Sequence, residues 1–183
     1  MKKILLTLAL ATAFSAQAVD YTQVQTDKST IHFTYKQMGV AVDGQFRKFA
    51  SQITFDPAKP SAAKATFEVE LASVDTGAPE GDQEVAGKPW FNTRAFPTAR
   101  FVSGTVKPLG GNKVEVAGQL TIKGKTQDVV VPATFTPQGN SGVFDGSFTI
   151  RRADFSIGEG SWAKFDIVAN DVLIKFRITA TSK

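Results

Sequence analysis

The chain contains no cysteine, which excludes a disulfide framework, thiolate metal centres and a lipidated amino-terminal cysteine. It has a single histidine, His32, so a site built from several imidazoles cannot form, and any histidine-dependent nucleophile would rest on that one residue. His32 shares a polar strand face with Thr30 and Thr34, the setting of a surface residue. Walker, dinucleotide-binding and nucleophile-elbow motifs are absent. Glu68 and Glu70 point outward from an amphipathic strand, which a solvated face explains better than acid–base chemistry does. With no metal or cofactor site and no catalytic set to name, the sequence reads as a binding protein.

Long apolar runs are also missing. The longest, Ile4 to Ala13, falls short of the ~20 residues a membrane span requires. With Lys2 and Lys3 before it and Ala16-Gln17-Ala18 after it, it reads as a cleavable secretory leader over residues 1–18. The expectation is therefore export through the leader and a single soluble domain over residues 19–183. An excess of either charge is missing too. With Lys2 and Lys3 taken from the 21 Lys and Arg residues, 19 remain against 17 Asp and Glu, too even a balance to point to nucleic acid.

What is present is alternation. Ile31, Phe33 and Tyr35 oppose Thr30, His32 and Thr34, the period-two pattern of a half-buried strand. Val40 to Phe49 continues as strand, with Gly44 marking a bulge or a close backbone approach. Phe67, Val69 and Leu71 oppose Lys64, Thr66, Glu68 and Glu70. Further strands follow at Arg100 to Lys107, Lys113 to Lys123, Val129 to Phe135, Val143 to Ile150 and Asp171 to Thr179, mostly joined by short turns such as "KGKT". The expected fold is all-β: an antiparallel barrel of about eight strands. No stretch has sustained helical periodicity, and only Glu80 to Val85 leaves room for a helical turn or two.

Phenylalanine is abundant, 15 residues against 2 Tyr. An eight-stranded barrel can be filled by such side chains or can hold one small ligand. The long break between strands, Thr76 to Ala95, runs into "WFNTRAFPTARF", which carries Trp90, Phe91, Phe96 and Phe101. Large rings bury roughly 150–250 Å² each, so this segment reads as a lid over an apolar mouth. A second constellation is "RRADFSIGEGSW". In an extended strand Arg152 and Asp154 share a side, predicting an ion pair; the alternative is that Arg152 meets an anionic headgroup. Gly158, Gly160 and Trp162 suggest a loop flanking the same mouth.

Five stretches in order resemble the YceI-like family: "VAVDGQFRKFASQITFD" (Val40 to Asp56), "LASVDTG" (Leu71 to Gly77), "FPTARF" (Phe96 to Phe101), "GQLTIKGKT" (Gly118 to Thr126) and "RADFSIG" (Arg152 to Gly158). The "WFN" and "FPTARF" forms are similar to the branch associated with cytochrome b561-type membrane proteins. The resemblance implies a lipocalin-like periplasmic barrel whose apolar tunnel takes polyisoprenoid or fatty-acyl lipids, often in a homodimer. It places Phe33, Phe46, Phe67, Leu71, Phe101, Leu120 and Phe148 in the tunnel, Trp90, Phe91 and Phe96 at the lid, and Phe155 near the Arg152 segment. Where many relatives carry a His-Ser pair, this chain has Lys28-Ser29. The leading functional expectation is a carrier of a quinone- or polyprenyl-type lipid. The alternatives are an accessory protein docking on a membrane cytochrome in electron transfer or stress response, and a small outer-membrane β-barrel.

Overall fold

The computed structural model describes residues 20–182; the expected leader over residues 1–18 lies outside them. The strands are β1 (Tyr21–Val24), β2 (Thr30–Gln37), β3 (Val40–Phe46), β4 (Phe49–Thr54), β5 (Lys64–Glu70), β6 (Val74–Asp75), β7 (Thr98–Gly110), β8 (Lys113–Ile122), β9 (Lys125–Gln138), β10 (Ser141–Arg151) and β11 (Val168–Ser182). One short helix, α1 (Pro79–Ala86), interrupts them.

All eleven strands belong to one sheet, and ten of them run in the order β4-β5-β7-β8-β9-β10-β11-β2-β3-β6. Every pairing is antiparallel, and the sheet curls into a half-barrel. The count corrects the expected eight. β1 has four residues and β6 two, too few to show a period of their own; both are defined by distant partners, β11 and β3.

The expected single strand from Val40 to Phe49 is also corrected. It breaks at Arg47 and Lys48, so that β3 pairs with β2 toward one end of the path while β4 pairs with β5 at the other. One bent ribbon thus ties both ends of the sheet together. Its corner is fixed by Ser73, whose hydroxyl accepts from the Lys48 N–H at 3.0 Å and donates to the Glu70 carbonyl at 2.7 Å. Asp75 adds an ion pair to Arg47 at 2.8 Å and accepts from the Gln45 amide at 3.0 Å. The Gln45 bond, then the Gly77 backbone N–H and Arg47, hold the Asp75 carboxyl below its usual range.

Strand parity determines what faces inward. A bulge in β7 between Ser103 and Val106 changes its parity, which lets Ala99, Phe101 and Val106 all face the interior. Lys123 and Gly124 form the β8–β9 turn with φ of 50° and 72°, the left-handed pair that a two-residue hairpin requires. At one end of the half-barrel the interior is solid. Tyr21, Phe55, Phe135 and Phe144 interlock there with ring centroids 4.7–5.0 Å apart, and reciprocal bonds between Tyr21 and Phe55 of 2.9 and 3.2 Å tie β1 across this floor.

Candidate functional site

Above the floor the interior is open. A cavity of about 310 Å³ is bordered by inward side chains of nearly every long strand, among them Ile31, Phe33, Phe46, Phe67, Leu71, Leu120, Phe148, Ile174 and Phe176. A smaller chamber of about 80 Å³ lies toward the floor, and Phe67, Phe101, Val131, Phe176 and Ile178 border both.

Close backbone approach helps keep this space clear. Gly44 pairs directly with Phe33, and Gly146 with Phe176. Each phenyl reaches over its glycine: a Cβ on Gly146 would fall 2.7 Å from Phe176 Cε1 and against the Pro132 carbonyl, and one on Gly44 2.7 Å from the Asp75 carbonyl as well as against the Phe33 ring. The rings hug the wall instead of filling the centre.

The mouth is roofed by α1 and the segment after it. Val85 of α1, Trp90 and Phe91 border the cavity, while Gln37, Thr76 and Glu84 supply its polar margin. The roof is pinned through the Pro89 carbonyl, which accepts from the Gly158 and Glu159 N–H groups at 2.9 Å each and from Lys123 Nζ at 3.4 Å. Lys123, almost wholly buried, also donates to the Ser156 carbonyl and to Glu159 Oε2, each at 2.7 Å. That bond, with the ammonium charge, holds the Glu159 carboxyl below its usual range. A second tie runs from Trp162 Nε1 to Glu84 Oε1 at 2.8 Å, joining α1 to a loop 78 residues away. The Trp90 and Trp162 rings meet at 5.4 Å, and the Trp90 N–H is buried without a partner among the described residues. Tyr35, on the wall, has its hydroxyl pKa raised by burial.

With this geometry in hand, comparison with known proteins is direct. Residues 22–180 match the model of the YceI-like domain. The chain belongs to the YceI-like family. UPF0312 proteins of Pseudomonas savastanoi pv. phaseolicola and Pseudomonas fluorescens are 32% and 34% identical to it, over 86% and 85% of this chain and 88% and 87% of theirs. Among solved structures, BcnA of Burkholderia cenocepacia superposes with a TM-score of 0.85 at 43% identity, covering 87% of this chain and all of BcnA. A polyisoprenoid binding domain from Saccharophagus degradans, implicated in plant cell wall breakdown, shares the fold with a TM-score of 0.69 at 16% identity, over 90% of this chain and 99% of that one.

In this YceI-like chain, eleven of the expected residues border the main cavity: Phe33, Phe46, Phe67, Leu71, Trp90, Phe91, Phe101, Leu120, Phe148, Arg152 and Trp162. Two do not. Phe96 packs over the β8–β9 turn at Gly124, and Phe155, 1% exposed, lies within the core cluster. Residues missed on the cavity wall include Tyr35, Ile122, Ile157, Val172 and Ile174; Val172 and Ile174 were legible from strand parity, whereas Ile157 lies on a loop with no period.

The Arg152–Asp154 ion pair is corrected. β10 ends at Arg151, and Arg152–Phe155 is a 3₁₀ turn, in which residues three apart eclipse. Asp154 therefore pairs with Arg151, at 2.8 Å. Arg152 turns inward to 2% exposure and donates to the carbonyls of Ile157, Gly158, Trp162, Lys164, Val168 and Ala169 at 2.7–3.2 Å. Its guanidinium also sits over the rings of Trp90 and Phe165 at 5.4 and 5.0 Å. All five of its N–H donors are thereby engaged, and burial lowers its pKa. Arg152 holds the mouth loop in shape and has no donor free for a headgroup.

Proposed function

We propose that this protein binds a long-chain apolar lipid, of the quinone or polyprenyl type, in the interior of a lipocalin-like barrel and carries it through the periplasm without chemical change. The observation that carries this reading is the cavity: about 310 Å³, walled by aliphatic and phenyl side chains from β2 to β11, with polar groups confined to its margin. That volume lies within the ~300–1,000 Å³ of small-molecule sites. A wall whose charged lining groups, Glu84 and Arg152, lie at the roof and are held in hydrogen bonds suits a hydrocarbon tail, and the few polar groups there suit a small headgroup. The shared fold with a polyisoprenoid binding domain supports the ligand class, and the leader-like start of the sequence supports the compartment.

The test is native mass spectrometry of protein purified without detergent, followed by denaturing extraction and mass identification. A discrete adduct of isoprenoid or acyl mass is expected. The reading fails if the purified protein is free of lipid and takes up no polyprenol or quinone from mixed micelles.

A further inference from the structure

Four of the six large apolar side chains exposed among the described residues cluster beside the mouth. Met38 and Val40, 73% and 66% exposed, form the tip of the β2–β3 hairpin, and Phe165 and Ile167, 49% and 42% exposed, sit on the loop before β11. The two turns are joined by a bond from the Met38 N–H to the Ile167 carbonyl at 2.7 Å. They also abut the cavity, because Gln37 and Val168, paired with each other, both border it. We infer that these two turns dock the protein onto a lipid bilayer, with the mouth against the membrane.

Four observations select a bilayer as the occupant. The apolar groups project from two turns, a presentation that can enter a fluid interface. The tip loses water at reduced cost, because the Met38 N–H is already satisfied by the Ile167 carbonyl. Lys36 and Lys164, both exposed, flank the turns and make no ion pair among the described residues, which suits anionic headgroups. Asp166, between the two apolar residues of its turn, accepts from the Ile167 N–H, and Glu84 accepts from Trp162. The fourth is position. A tail leaving a bilayer gains nothing by crossing water, so a mouth bordered by inserting side chains gives it an apolar route.

This inference rests on the lipid-carrier reading, and its test separates the two. Detergent-free protein is floated with vesicles of phosphatidylcholine alone or mixed with phosphatidylglycerol. The wild type is expected to float with the mixed vesicles, more weakly at high salt. The Met38→Asn/Val40→Thr variant, whose residues suit a left-handed turn and a strand, should bind about tenfold more weakly, as expected for losing part of two apolar contacts. Leu109→Ser, at another exposed apolar site, beside the β7–β8 turn, should bind like the wild type. Equal binding by the double variant, or a wild type that floats with neither vesicle, overturns the docking surface. So does a variant changed only in self-association, measured by sedimentation, which assigns the patch to a second copy of the chain. Uptake of polyprenol from micelles is measured in parallel: uptake without flotation leaves the carrier reading standing and removes the docking surface, and flotation without uptake does the reverse.

Discussion

Six carbonyls converge on the Arg152 guanidinium, from Ile157, Gly158, Trp162, Lys164, Val168 and Ala169. Hydrogen bonds to a charged group contribute about 1.5–3 kcal/mol each in favourable settings, and buried groups left without a partner lose their solvation. Lysine offers three donors on a point charge in place of a planar fork. Arg152→Lys should therefore lower stability by about 3 kcal/mol or more, read as a shift in the urea midpoint, and a variant as stable as the wild type would remove Arg152 as the organiser of this loop. Gly158 belongs to the same unit, since it takes φ of 79° and a Cβ there would strike the guanidinium. Gly146 tests the wall instead. Gly146→Ala would set a Cβ against both the Phe176 ring and the Pro132 carbonyl, so it should displace the ring toward the lumen and strain the β9–β10 pairing, costing about 1–3 kcal/mol or more by overpacking and reducing the lipid recovered by extraction.

At the scale of elements, the roof is held by two ties of different chemistry. Glu84→Ala removes the acceptor for Trp162 and frees α1 from the mouth loop, so exchange of a fluorescent polyene between protein and vesicles should quicken severalfold with little loss of thermal stability. The Lys123–Glu159 tie responds to pH. Because the folded-state pKa of Glu159 is depressed, chiefly by the Lys123 hydrogen bond, its contribution is fully present above the unfolded carboxyl value of about 4.3 and is lost as pH falls through the lower folded value. The stability difference between wild type and Glu159→Gln should be constant at neutral pH and close only on the acid side of that range. An unchanged difference there would show that Glu159 stays ionised or does not stabilise the roof. These elements also mark what was legible in the sequence. Long strands announced themselves by period, and α1 by its position between turn formers. The 3₁₀ turn at Arg152 was hidden because it continues β10 without a Gly or Pro break, and β1 and β6 because pairing rather than local pattern makes them strands. Cavity-wall residues on strands were readable by parity; one on a loop, Ile157, is fixed only by where Arg152 holds the chain.

Across the whole molecule, charge and apolar surface are sorted by side. Glu68 pairs with Arg100 at 3.2 Å and Asp145 with Arg177 at 2.9 Å across neighbouring strands of the outer face, an arrangement at odds with an outward lipid-facing band. The apolar space is inside, and it is graded: a packed aromatic floor, a chamber of about 80 Å³, and the main cavity of about 310 Å³ beneath the roof. Phe67 borders both chambers, so truncating it should join them in series. Phe67→Ala should cost about 3 kcal/mol in stability while letting a tail reach the floor, and the lipids extracted from it should shift toward longer chains. Ile174→Trp, which fills the main cavity from β11, should instead lower the amount recovered with the far-ultraviolet circular dichroism of the sheet retained. If both variants returned the wild-type chain-length distribution and yield, the tail would lie outside this lumen, and the two chambers would be packing defects rather than parts of one binding tunnel.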